Sequence, residues 1–310
     1  MTLRRIDRTT EQVRRLRVKH ATRYAYDRPV ERSLHQLRLT PIEDRFQRIV
    51  THALRVEPAV RAHQLEDPFG NSTTTFSLET PYVELVVTAE STVDLSDVDP
   101  FEFARSPAAP AEFPLAWLPA ERVMLAAYLT PPELPEAQIG TLYEYALSFA
   151  QRNDRNLLET LFDLNLTLFR EYRYAPGSTT LSTTAFDVLT TRQGVCQDFA
   201  GLFICLARLL GIPARYVCGY VFTGNVATDR PTSDATHAWV ELYLPNVGWK
   251  GFDPTNGILP ATDHVRVARG RTYQDATPTS GTLFSPASET LSTEVEVADD
   301  TRGAEAGSSE

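Results

Sequence analysis

Residues 196–210 follow Gly194 and Val195, and in them Phe199, Leu202, Phe203, Ile204, Leu206, Leu209 and Leu210 cover most of a helix's circumference. A helix that is apolar on nearly every side belongs at the centre of a domain, so the rest of the chain has to supply layers around it. Its less apolar positions, Gln197, Gly201, Cys205 and Arg208, fall on one narrow stripe at spacings of four, four and three. After Gly211-Ile212-Pro213 the period changes to two. Arg215, Val217, Gly219 and Val221 alternate with Tyr216, Cys218, Tyr220 and Phe222, which reads as a strand. Residues 235–244 and 249–253 read as two more, joined by the turn Pro245-Asn246-Val247-Gly248. The fold class that follows is α+β, with a central helix packed on an antiparallel sheet.

The chain has 310 residues, 42% of them hydrophobic, which is enough for two domains of ordinary size. From residue 18 to 99, short alternating runs such as Tyr82-Val83-Glu84-Leu85-Val86-Val87 are broken by turn signals such as Asp67-Pro68-Phe69-Gly70-Asn71, which predicts a β-rich domain. Residues 100–119 carry Pro100, Pro107, Pro110, Pro114 and Pro119 and read as a linker. A second domain is expected over 120–270, with helices at 142–152 and 156–172 preceding the central one. Residues 271–297 form a C-terminal segment whose Thr293-Glu294-Val295-Glu296-Val297 reads as a strand returning to the first domain. Residues 1–17 form a basic tail with Arg4, Arg5, Arg8, Arg14, Arg15 and Arg17, and residues 298–310 an acidic, disordered one.

A net charge of -10 disfavours nonspecific attraction to nucleic acid or to an anionic membrane. No apolar run reaches the ~18 residues of a membrane helix, and the basic start lacks the apolar stretch of a secretory signal, so a cytoplasmic protein is expected. The three cysteines, Cys196, Cys205 and Cys218, form no CxxC pair, which suggests neither a disulfide framework nor a thiolate zinc site. Cys205 and Cys218 lie within a helix and a strand and read as buried thiols.

Cys196 differs because it opens a helix, where unpaired N–H groups and the positive dipole end favour a thiolate. His237 shares a strand face with Trp239, Glu241 and Tyr243, and Asp253 shares one with Trp249 and Gly251. In an antiparallel hairpin whose paired residue numbers sum to 490 or 492, His237 and Asp253 share a face, whereas a slip of one residue separates them. A cysteine nucleophile needs a base to take its proton and an acid to orient that base, and these residues could supply both. The N–H of Cys196 could stabilise an oxyanion; Gln197, Trp239 and Trp249 are further candidates for the oxyanion or for the cleft wall. Asp198 suits the helix dipole as a first-turn acid, yet a carboxylate near Cys196 opposes thiolate formation. A zinc site built on Cys196, His237 and Asp253 is compatible with the ligand types, but no further ligands cluster in the sequence.

The chain resembles the transglutaminase-like superfamily of papain-type cysteine enzymes, in particular the bacterial group with a β-rich N-terminal region. The resemblance is carried by Tyr174-Ala175-Pro176-Gly177, Gly194-Val195-Cys196-Gln197-Asp198-Phe199-Ala200, Gly211-Ile212-Pro213-Ala214-Arg215-Tyr216-Val217, His237-Ala238-Trp239 and Phe252-Asp253-Pro254-Thr255. It extends to Leu37-Arg38-Leu39-Thr40-Pro41, Asp67-Pro68-Phe69-Gly70-Asn71 and Gly270-Arg271-Thr272-Tyr273-Gln274-Asp275. The resemblance implies a papain-like core in which Cys196 is the nucleophile, His237 the general base and acid, and Asp253 the orienting residue. One departure is Gly201, where the pattern of this group commonly has His. The implied activity is a cysteine-dependent amide hydrolase or peptidase on a peptide or protein substrate, working through a thioester without cofactor or metal. A transglutaminase that passes the acyl group to an amine is the alternative, and a noncatalytic peptide- or protein-binding module is a third reading.

Overall fold

The structure, a computed structural model, describes residues 13–105, 112–224 and 236–301. Arg4, Arg5 and Arg8, the linker prolines Pro107 and Pro110, and the chain from residue 302 onward lie outside the described residues.

Six strands come first: β1 (Val13–Val30), β2 (Ser33–Leu37), β3 (Gln47–Glu57), β4 (His63–Glu66), β5 (Ser72–Leu78) and β6 (Tyr82–Ser96). A short 3₁₀ turn (Glu102–Arg105) leads to helices α1 (Pro119–Met124), α2 (Ala126–Leu129), α3 (Glu136–Arg152) and α4 (Leu157–Glu171). Then follow β7 (Arg173–Tyr174), α5 (Ala185–Thr191), β8 (Gln193–Gly194) and α6 (Cys196–Leu209). The chain continues with β9 (Ala214–Val221), β10 (His237–Leu244), β11 (Gly248–Phe252) and β12 (His264–Gly270), and ends in α7 (Tyr273–Ala276), β13 (Thr279–Leu283) and β14 (Glu289–Asp299).

The first six strands and the last two build two four-stranded sheets, ordered β14-β1-β6-β3 and β13-β2-β5-β4. Tyr26, Leu37, Phe76, Leu85 and Val87 are among the apolar side chains packed between them. The third sheet, β11-β10-β9-β12, is antiparallel and carries α6. Phe199, Leu202, Phe203 and Leu206 of α6 are completely buried, and they meet Ala238, Val240, Leu242 and Leu244 from one face of β10. Helices α3, α4 and α5 close the remaining sides of α6. The all-round apolarity of residues 196–210 is thereby accounted for, and the chain is α+β.

Several limits differ from the sequence reading. Residues 13–17, expected in the basic tail, open β1: Leu16 is fully buried, and Arg15 pairs with Asp94 at 2.7 Å. Ala298 and Asp299, expected in the acidic tail, pair with Arg17 and Leu16, because alternation and pairing continue past Val297. Phe103 of the expected linker is buried in the core around α6.

β12 is the edge strand of the third sheet, and the N-terminal region covers it. An open edge presents unpaired backbone groups, and here side-chain amides satisfy some of them. Asn71 donates from Nδ2 to Arg269 O (2.7 Å) and accepts from Arg269 N (2.8 Å), while Gln47 does the same with Arg266 (2.8 and 2.9 Å). Asn71 is itself held by Asp67, whose carboxylate also takes Arg38 Nε at 2.9 Å. Leu16, Val18, Val93 and Leu95 pack there against Tyr220, Val265 and Val267, so this joint is apolar behind its hydrogen bonds.

Candidate active site

Gly194 and Asp198 fix the start of α6. The Asp198 carboxylate turns back to accept from Val195 N (2.8 Å) and from Thr179 Oγ1 (2.7 Å), which caps the helix. A Cβ on Gly194 would lie 2.7 Å from Asp198 Cβ, so a residue without a side chain is required for this return. The acid weighed in the sequence as a neighbour of the thiol thus has its charge engaged by the cap. Cys196 is the first residue of the helix and half-buried, and helix geometry leaves the N–H groups of Cys196 and Gln197 without intrahelical carbonyls. Gln197 lines a groove of about 310 Å³ that runs along α6 past Gly201.

His237 opens β10 and Asp253 follows β11 directly. Val240 pairs with Phe252 and Glu241 with Gly251, so the paired numbers sum to 492. In that register His237 and Asp253 are diagonal neighbours on one face, and His237 Nε2 lies 2.9 Å from Asp253 Oδ2. A carboxylate only accepts, so Nε2 carries the proton and Nδ1 is the nitrogen left for Cys196. His237 is 6% exposed and Asp253 completely buried. Burial alone would push His237 down, but the charge and hydrogen bond of Asp253, with a smaller contribution from Cys196, raise it to about 10. Burial would likewise raise Asp253, yet the charges and hydrogen bonds of His237 and His264 hold it far below the usual carboxylate range. At neutral pH the pair is therefore imidazolium and carboxylate.

Two residues that the sequence reading passed over also hold Asp253. His264 Nε2 lies 3.2 Å from Asp253 Oδ2, and Asn256 Nδ2 donates to the same oxygen at 2.7 Å. The other oxygen accepts from the backbone N–H groups of Thr255 and Asn256, at 3.0 and 3.2 Å. The available signal for His264 was the alternation His264-Val265-Arg266-Val267, which marks a strand. For Asn256 it was the Asp-Pro-Thr-Asn turn, in which an Asp side chain caps the backbone that follows. Among the described residues, His237, Asp253 and His264 are the group of three whose potential ligand atoms lie within 4.8 Å of one another. Both imidazoles direct an N–H at Oδ2, so hydrogen bonding already accounts for the cluster.

Trp239 is fully enclosed behind His237, stacked on it at 5.9 Å and edge-on to His264 at 5.2 Å. Its indole N–H is buried without a hydrogen-bond partner among the described residues. Trp249 sits elsewhere. The register places it opposite Tyr243, about 20 Å along β10 from His237 at ~3.3 Å per residue. There it packs on Tyr243, Tyr128 and the Arg215 guanidinium. Trp239 and Trp249 nevertheless line one pocket together with Glu241, Lys250 and His264, and the residues that line it do not include Cys196. Cys205 and Cys218 are buried, and burial pushes both thiols up to about 12. Among the described residues no helix is long and apolar enough to cross a membrane.

Comparison with known proteins agrees with this architecture. Residues 16–94 match the family model of the bacterial transglutaminase-like N-terminal region, and residues 145–254 match that of the transglutaminase-like superfamily. An uncharacterized protein of Mycobacterium tuberculosis is 36% identical over 287 residues, covering 87% of this chain and 88% of that one. A protein-glutamine gamma-glutamyltransferase of Pseudomonas aeruginosa is 39% identical over 75 residues, 23% of this chain and 11% of that protein. The crystal structure of a cysteine protease candidate from Cytophaga hutchinsonii superimposes with a TM-score of 0.74 at 25% identity, covering 93% of this chain and 91% of that one.

Proposed function

The chain belongs to the transglutaminase-like superfamily, and on that footing we propose that it is a cysteine-dependent amide hydrolase acting on peptides or proteins through a thioester. The observation that carries the reading is the buried His237–Asp253 pair at 2.9 Å, with Cys196 a hydrogen-bonding neighbour of the same imidazole. Cys196 Sγ attacks the amide carbon, and the oxyanion that forms is met by N–H groups at the start of α6. His237 gives its Nδ1 proton to the departing amine as the C–N bond breaks, leaving a thioester. Now neutral, His237 takes a proton from water as that water attacks the thioester, and the tetrahedral species expels the Cys196 thiolate. Asp253 stays ionised throughout and holds the ring by Nε2.

The alternative resolves the same thioester with a primary amine, a transglutaminase reaction, and the local likeness to the Pseudomonas gamma-glutamyltransferase favours it. Hydrolysis is preferred because the likeness to the cysteine protease candidate spans nearly the whole chain. Incubating the protein with a peptide library, with and without a primary amine, separates the two. Cleaved or deamidated peptides in both arms support hydrolysis. Amine adducts replacing them support transfer, and unchanged peptides in both arms favour the binding module.

A further inference from the structure

Asp253 is shared between two buried imidazoles. His264 opens β12, is 3% exposed, and brings Nε2 to 3.2 Å from Oδ2, the oxygen that also takes His237 Nε2. Since the carboxylate only accepts, His264 Nε2 must carry a proton. Its other nitrogen, Nδ1, is buried without a partner among the described residues. Leaving such a nitrogen unpaired has a desolvation cost that an apolar side chain at the same place would avoid. Hydrogen bonding to Asp253 is the compensation visible in the structure.

The strand that carries His264 is also held by more than its own sheet. Gln47 and Asn71 grip the backbone of Arg266 and Arg269, and Val265 and Val267 pack against Leu16 and Val93. Gly219, opposite His237 on β9, has no room for a Cβ, which would lie 2.0 Å from Val265 O. β12 and the strand facing His237 are therefore packed backbone to backbone, and His264 is set on a rigid element.

We propose that His264 is a positioning residue of the site: it fixes Asp253 Oδ2 so that the carboxylate holds His237 in the ring orientation that serves Cys196. The inference rests on the reading of Cys196, His237 and Asp253 given above. Through Gln47 and Asn71 it also gives the N-terminal region a part in the site, as the clamp on the strand that delivers His264.

The test uses iodoacetamide and the full chain, so it needs no substrate. The alkylation rate of Cys196 is measured by peptide mass spectrometry between pH 5 and 11 for the wild type, His237→Ala, His264→Phe, His264→Gln and His264→Asn, each checked by circular dichroism. Gln can bring an amide N–H to the place of Nε2, whereas Phe cannot donate and Asn is too short. The expected result is a roughly 10- to 100-fold slower reaction at pH 7.5 for Phe and Asn. Their alkaline break should also move to lower pH as Asp253 tilts from His237, and Gln should restore most of both. Should Phe fail to fold, the Gln and Asn pair carries the test alone. A folded Phe or Asn variant with the wild-type rate and break overturns the proposal, as does a break displaced upward, which would mean that His264 competes with His237 for the carboxylate. If His237→Ala itself leaves Cys196 as reactive as in the wild type, it is the underlying active-site reading that fails.

Discussion

Asp253→Asn removes a charge while changing little in shape, and its effect on His237 can be worked out from the structure. The rise of His237 from 6.5 to about 10 corresponds to ~5 kcal/mol of preference for the charged ring, at ~1.4 kcal/mol for each tenfold. The Asp253 charge and its hydrogen bond are the leading causes of that rise, and burial opposes it. Without the charge, burial prevails and the ring should fall below 6.5. At pH 7.5 it would change from protonated to neutral. The sign for stability follows from the same numbers. Because the folded value lies above the unfolded one, the pair's contribution is complete below about pH 6.5 and lost as pH climbs toward about 10. This is one interaction, counted once, although Asp253 is depressed by it as well. Asn also has a single oxygen where Asp253 offers two, so either the N–H groups of Thr255 and Asn256 or those of the imidazoles lose an acceptor, at about 1–3 kcal/mol. NMR titration of the histidine Cε1–H signals reads His237 directly, and urea midpoints across pH 6–10 read the stability slope. The wild-type ring should keep its proton past pH 9 and the variant's should lose it below pH 6.5, with most of the slope gone. A variant whose His237 still titrates near pH 10 would refute this account of the charge.

Three further outcomes are expected. Iodoacetamide at pH 8 should modify Cys196 well before Cys205 or Cys218, whose burial pushes them up to about 12; equal labelling of all three in the folded protein would contradict the burial seen for the latter two. Gly219→Ala should lower the melting temperature, with a cost of about 1–3 kcal/mol or more, because the new Cβ meets the Val265 carbonyl and the Trp239 ring. Gly201→Ala should do the opposite, by roughly 0.5–1 kcal/mol, since a Cβ there meets nothing within 4 Å and a glycine inside a helix is unfavourable; an unchanged or lower melting temperature would show that the groove beside α6 is tighter than it looks.

The α6 sequence foretold its place because apolar residues on every side leave a helix only one environment. The hairpin was half legible: period two placed His237 and Asp253 on strands, but their meeting depends on a register that sums to 492. The same register carries Trp249 away to Tyr243, which no property of an isolated tryptophan announces. His264 escaped notice for a different reason. It lies 11 residues beyond Asp253, and its strand crosses to the far side of β9, so its approach to Asp253 is a product of sheet order. The motifs at Asp67–Asn71 and Leu37–Pro41 were visible as sequence, but their use was not. Arg38 braces Asp67 and Asp67 braces Asn71, which grips β12 some two hundred residues later in the chain. Alternation likewise marked β14 but could not say that it would pair with β1 as far as Asp299.

The central claim is that a bond forms between Cys196 Sγ and an acyl group. Its most direct test is rapid-quench mass spectrometry of the protein mixed with a peptide library, followed by proteolytic mapping of any mass gained. The account predicts an acyl adduct on the peptide containing Cys196 that disappears with time as product forms, is absent in Cys196→Ala, and forms far more slowly in His237→Ala. Turnover that persists in Cys196→Ala, or an adduct mapped to another residue, would contradict it.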